Sequence, residues 1–205
     1  MTLVRRVWGE VWHAVSALTL RVLGPLDDWA RYPRPVRRNW FGDGATQPFE
    51  WYLSGTCTVP VASITDVCNF LLGCEYTPDS ELFHVADYWQ HPAEFEHSRR
   101  GDCDCFALWA WRRLCELRVS PELVTGMWMR ADRSPARHLW VVIRGLTPPV
   151  LLEATNPDIE SMVQPLEAVR SAYVPFVGLD CNLQTVAYAG VLRHREFRAA
   201  RPRKA

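Results

Sequence analysis

The stretch that decides the fold runs from Arg99 to Leu117 and reads RRGDCDCFALWAWRRLCEL. Gly101 can stop a preceding helix, and Asp102 is a good N-cap for the next one. From there Cys103, Phe106, Ala107, Ala110, Leu114 and Leu117 recur at helical spacing on one stripe. Either Cys103 or Cys105 could be a nucleophile, both could be metal ligands, and both could be small core residues. A thiol in the first helical turn sits at the positive end of the helix dipole, beside unpaired backbone N–H groups. Both favour the thiolate, and the same N–H groups can hold an oxyanion. Cys103 lies on the core-facing stripe. Cys105 falls roughly 200° further round by the 3.6-residue period, on a half-polar face with Trp109, Arg112 and Glu116.

Reading outward, HPAEFEHSRR (91–100) opens with Pro92 at a favourable first helical position. TVPVASITDVCNFLLGCEY (58–76) predicts a helix from about Ser63, with Ile64, Val67, Phe70 and Leu71 on one face. Downstream, ELVTGMWMR (122–130), HLWVVIRG (138–145) and PVLLEAT (149–155) read as strands, with GLTPP (145–149) as the turn between the last two. A further short strand is expected in LQTVAYAG (183–190). The pattern is α+β: a helix with an N-terminal Cys packed on a small antiparallel sheet.

A nucleophilic thiol needs a base, and the base needs an orienting group. If Arg144 pairs with Pro149, Trp140 lies opposite Glu153, and His138 is diagonal to Glu153 on the same face. Diagonal side chains are within reach when one is long. A slip of one residue would separate the two. In this register the sheet presents an imidazole, with a carboxylate behind it, toward the Cys103 helix.

DYWQHPAEFEHSRRGDCDCFALW (87–109), followed by LVTGMWMR, RHLWVVI and VLLEATNPD, resembles the bacterial branch of the transglutaminase-like, papain-like cysteine protease superfamily. The resemblance covers roughly residues 60–160. It implies Cys103 as nucleophile, His138 as general base and acid, and Glu153 as orienting carboxylate. Two positions depart from the family pattern: Cys105 stands where an acid is usual, and Glu153 where Asp is usual. Asp158 is the fallback third residue and Asn156 a weaker one. The Cys103 backbone N–H is the expected oxyanion donor, with the Trp89 indole or the Gln90 amide as the second. The activity implied is amide-bond hydrolysis by a cysteine peptidase or amidase on a protein or peptide substrate. The alternatives are a non-catalytic or vestigial member acting as an assembly component, and a transglutaminase or deamidase acting on protein glutamine.

The 205 residues carry 23 Lys+Arg and 23 Asp+Glu, so overall charge predicts no attraction to nucleic acid or membrane. The charge is uneven: residues 1–40 and the tail from Val191 are Arg-rich. Residues 1–45 read as an N-terminal amphipathic helix and linker arm, 46–190 as the transglutaminase-like domain, and 191–205 as a basic tail. The arm is a possible docking segment for a protein partner. Its apolar run is broken by Glu10, His13 and Arg21, so neither a secretion signal nor a transmembrane span is expected. The expected setting is cytoplasmic or within a larger particle. Seven cysteines at irregular spacing read most simply as reduced thiols. His91, His97, Cys103 and Cys105 lack the usual zinc spacing. No metal and no cofactor is expected.

Overall fold

The computed structural model describes residues 27–33, 35–132 and 134–193. The amphipathic helix expected near the N-terminus and the tail from His194 lie outside the described residues. In chain order the elements are β1 (Arg31–Pro33), α1 (Phe49–Leu53), α2 (Ile64–Leu72), β2 (Glu75–Tyr76) and α3 (Asp79–Leu82). Then come α4 (Pro92–Ser98), β3 (Arg100–Gly101), α5 (Cys103–Glu116), β4 (Pro121–Met129), β5 (Pro135–Ile143) and β6 (Val150–Leu152). The chain continues through α6 (Ile159–Met162), β7 (Val163–Pro165), α7 (Leu166–Val169), β8 (Tyr173–Asp180), β9 (Thr185–Tyr188) and α8 (Gly190–Arg193).

Seven strands form one antiparallel sheet in the order β1-β9-β8-β4-β5-β6-β7, while β2 and β3 pair in parallel as a separate ribbon. The expected α+β arrangement holds, with a sheet larger than expected. β8 supplies the long partner of β4, yet YVPFVGLD carries a proline and a glycine that mask it in sequence. Alternation along β5 divides the two faces. Leu139, Val141 and Ile143 join the core around α5. Trp140 and Val142 pack on the other face with Trp29, Leu151 and Tyr173.

The α5 helix is buried from Asp104 to Leu114, more than a one-sided stripe allows. Its outer face is covered by residues 49–72 and α4. Phe70 stacks on Trp109 at 3.9 Å, and the Trp109 indole donates to Glu96 at 3.0 Å. Arg112 donates to the carbonyls of Ser54 and Gly55 at 2.6 and 2.7 Å, and Arg113 to that of Val59 at 2.8 Å. These charged side chains are buried because they satisfy loop carbonyls that water would otherwise reach.

The expected boundary at residue 45 is not where the core begins. Trp29 is buried behind the sheet, β1 pairs with β9, and Phe41 and Ala45 belong to the main core. The Pro- and Arg-rich composition of 27–44 hid these aromatic anchors. At the other end Val191 is buried against Met127, Val174 and Phe176.

The all-thiol reading is also corrected. Cys115, near the end of α5, is bonded to Cys181 in the turn after β8, 66 residues away. No sequence spacing marks such a pair. Closing a loop of this length restricts the unfolded chain, so replacing both by Ser is expected to cost about 2–4 kcal/mol. Urea midpoints with and without reductant measure this, and identical midpoints would contradict it.

Candidate active site

Asp102 opens α5 as its N-cap and accepts the Asp104 N–H at 3.2 Å. Cys103 follows as the first helical residue and is half-buried. A side chain at Gly101 would meet the Cys105 Cβ at 2.6 Å and the Gln90 amide nitrogen at 2.9 Å, so this approach needs glycine.

The β5–β6 register pairs Val141 with Leu152, Val142 with Leu151 and Ile143 with Val150. Continued one step, it sets Trp140 opposite Glu153 and His138 diagonal to it, as the hairpin argument expects. His138 Nε2 is bonded to both Glu153 carboxylate oxygens at 2.8 Å. With Nε2–H donating to the carboxylate, Nδ1 is the nitrogen left for chemistry. The imidazole lies between Trp128 and Trp140, with ring centroids at 5.6 and 6.4 Å. Opposite His138 in β4 stands Gly126, where a Cβ would lie 2.1 Å from the Val174 carbonyl oxygen and 2.7 Å from the Trp140 ring. Gly126→Ala is therefore expected to disturb the Trp140 wall and broaden or shift the His138 imidazole resonances. An unchanged His138 spectrum would contradict this.

One expectation fails in detail. His138 does not face the body of α5, since that face of β5 belongs to Leu139, Val141 and Ile143. β6 pairs only with Val141–Ile143, and α5 brings Cys103 to the middle of β5, where the Leu139 amide donates to its sulfur. The thiol and the imidazole are not hydrogen-bonded to each other among the described residues.

The electrostatics also differ from the helix-dipole argument. Burial, then the Asp104 and Asp102 carboxylates, push the Cys103 thiol well above its ordinary range. Burial drives Glu153 upward too, but its bond to His138, the His138 charge, Thr155 and Tyr173 outweigh it and hold the carboxyl below its usual value.

The other candidates are placed as follows. The Gln90 amide donates to the Arg100 carbonyl at 2.7 Å and to Cys105 Sγ at 3.3 Å. Trp89 is buried against Phe49 and Tyr52. Cys105 is buried, not on a half-polar face, with its thiol toward Asp104. Asp158 is exposed and caps α6 by accepting the Glu160 N–H, while Asn156 Oδ1 accepts the Asp158 N–H. Neither is bonded to His138. His91 caps α4 and bonds the Trp51 and Ser54 carbonyls, so the His/Cys zinc set does not assemble.

Sequence reasoning missed an acidic cluster beside the thiol. Ligand atoms of Asp79, Asp87 and Asp104 lie within 4.8 Å of one another, as do those of Asp79, Asp102 and Cys105. One Asp79 oxygen accepts the Tyr88 N–H at 2.5 Å, while the other is buried with no partner. Burial, with Asp102 and Asp87 nearby, pushes Asp79 up to about 6. These residues could hold a hard cation. They are spread over 26 positions, from 79 to 104, and no local motif links them.

No protein-family model and no curated protein sequence matches the chain. Solved structures of LapG from Legionella pneumophila are similar. The calcium-bound form is 19% identical with a TM-score of 0.48, over 62% of this chain and 67% of that one. The EGTA-treated form is 19% identical with a TM-score of 0.44, over 56% and 60%. A third LapG structure is 18% identical with a TM-score of 0.47, over 62% and 65%.

Proposed function

We propose that the chain is a thiol-dependent amide-bond hydrolase, a cysteine peptidase or amidase of transglutaminase-like type, with Cys103, His138 and Glu153 as its triad. What supports this is the buried His138–Glu153 pair, together with the thiol at the first residue of α5. In this reading the Cys103 proton passes to His138 Nδ1 as the sulfur attacks a carbonyl carbon. The C–N bond then breaks, the proton leaves with the amine, and water releases the acyl group. Glu153 holds the imidazole in the required tautomer and faces its positive charge. With Gln90 committed elsewhere, the Cys103 backbone N–H is the first oxyanion donor.

The acidic cluster fits a divalent cation of the calcium class: hard carboxylate oxygens, one of them buried and unpartnered, beside one thiol. Asp79, Asp87 and Asp104 would hold it. When bound, it supplies positive charge against the acids flanking the nucleophile.

A second reading is a non-catalytic assembly component on the same fold. The acid-flanked thiol, held well above its ordinary range, favours it. A third reading, transfer to an amine or deamidation of protein glutamine, uses the same triad.

The test incubates wild-type protein and Cys103→Ala with a peptide mixture, with calcium or with EGTA, and maps new chain termini by mass spectrometry. New termini from wild type alone support hydrolysis, and their loss in EGTA supports the cation. Ammonia release without new termini redirects the reading to deamidation. No difference between the two proteins in any arm supports the assembly component. Among the described residues no helix is long and apolar enough to cross a membrane.

A further inference from the structure

The third position of the candidate triad is a glutamate, whose extra methylene adds a rotatable bond between backbone and carboxylate. Such a group orients an imidazole well only if something else fixes it. Glu153 Oε1 accepts the Thr155 hydroxyl at 2.7 Å and the Thr155 N–H at 3.3 Å, besides the His138 bond. Glu153 Oε2 accepts the Tyr173 hydroxyl at 3.0 Å, besides its own bond to His138. Both oxygens are thus held from two directions.

The clamp is itself anchored. Tyr173 opens β8, where its backbone pairs with Trp128 of β4. Its ring lies edge-on to Trp140 at 5.1 Å, and its carbonyl accepts the Trp29 indole N–H at 3.1 Å. The Trp128 and Trp140 side chains that pack on Tyr173's neighbourhood are the same two that flank His138.

We infer that Tyr173 and Thr155 are positioning residues that clamp Glu153 and thereby set the orientation of His138. The inference rests on the Cys103–His138–Glu153 reading. Each hydroxyl donates to the carboxylate and takes up part of its negative charge. Removing one leaves Glu153 a stronger acceptor for the Nε2–H but less firmly fixed in place.

The experiment records the His138 Nε2–H resonance by NMR, and the turnover of a peptide identified from the termini map, in the wild type, Tyr173→Phe, Thr155→Val and Thr155→Ser. Tyr173→Phe and Thr155→Val are expected to shift the resonance, since its acceptor has lost a competing donor, and to lower turnover several-fold as Glu153 loosens. Thr155→Ser keeps the donor and should return both to the wild-type values. A merely structural role for these residues would not shift the resonance or be rescued by serine. If Cys103→Ala abolishes turnover while both donor-less variants leave resonance and turnover unchanged, the clamp is overturned and the triad stands. If the wild type and Cys103→Ala turn the peptide over alike, the triad reading falls and the clamp with it. Thr155 lies in the loop after β6, so its variants remain informative should Tyr173→Phe fail to fold.

Discussion

Cys103→Ser is expected to lower turnover at least a thousandfold while leaving the chain folded. The hydroxyl has nearly the thiol's size and keeps the helix opening, but its pKa is far higher. A His–Glu pair tuned to a thiol seldom activates it. Labelling by iodoacetamide at position 103 should vanish in the same variant. Cys105→Ser should change turnover by less than about threefold, because that side chain is directed at Asp104 and Gln90. Turnover with a peptide substrate identified from the termini map, together with far-UV circular dichroism, checks both. Should Cys105→Ser abolish activity while Cys103→Ser retains it, the nucleophile has been assigned to the wrong cysteine.

The second large effect is at Glu153. Glu153→Gln keeps the shape but removes the charge that faces the imidazolium, and the amide can present an N–H toward His138 Nε2. A loss of about 10²–10⁴ in kcat is expected, by comparison with the loss on neutralising an orienting carboxylate in other triads. Asp158→Asn should stay within about twofold, since an exposed helix cap is preserved by asparagine. The pair separates the two carboxylates offered by the sequence. Glu153 also predicts a pH dependence of stability. Its folded pKa is depressed, so its stabilising contribution is complete above the unfolded value, about 4.3, and is lost as pH falls through the lower folded value. Urea unfolding between pH 7 and pH 3 should show a loss in wild type that is smaller in Glu153→Gln. Equal losses in the two proteins would contradict it.

The helix opening at Cys103 and the β5–β6 register were legible because both depend on short-range rules. A cap residue, a helical period, a turn and a two-residue alternation fix them within twenty residues. What was not legible depends on distant segments meeting. His138 lies on the face away from α5 because β8 and Trp29, brought from both ends of the chain, build a second apolar layer there. The two arginines of α5 are buried because residues 52–59 close over them, and Cys105 because the segment of Tyr88 and Gln90 does. The acidic cluster, the Cys115–Cys181 bond and the Tyr173 hydroxyl belong to the same class. The thiol's raised pKa shows a local rule overruled: the dipole favours the thiolate, but burial and two flanking carboxylates count for more.

The two outermost strands, β1 and β7, are three residues each, and both end in proline, at Pro33 and Pro165. A proline has no N–H to offer an incoming strand, and three residues leave few other groups to template one. Among the described residues, the two edges of the sheet therefore offer little to an incoming strand. An extended polypeptide that approaches this protein, whether a second copy or a chain to be cut, is discouraged from joining at the margins as an eighth strand. Self-association by edge pairing, the hazard of any open sheet, is disfavoured by the same two residues.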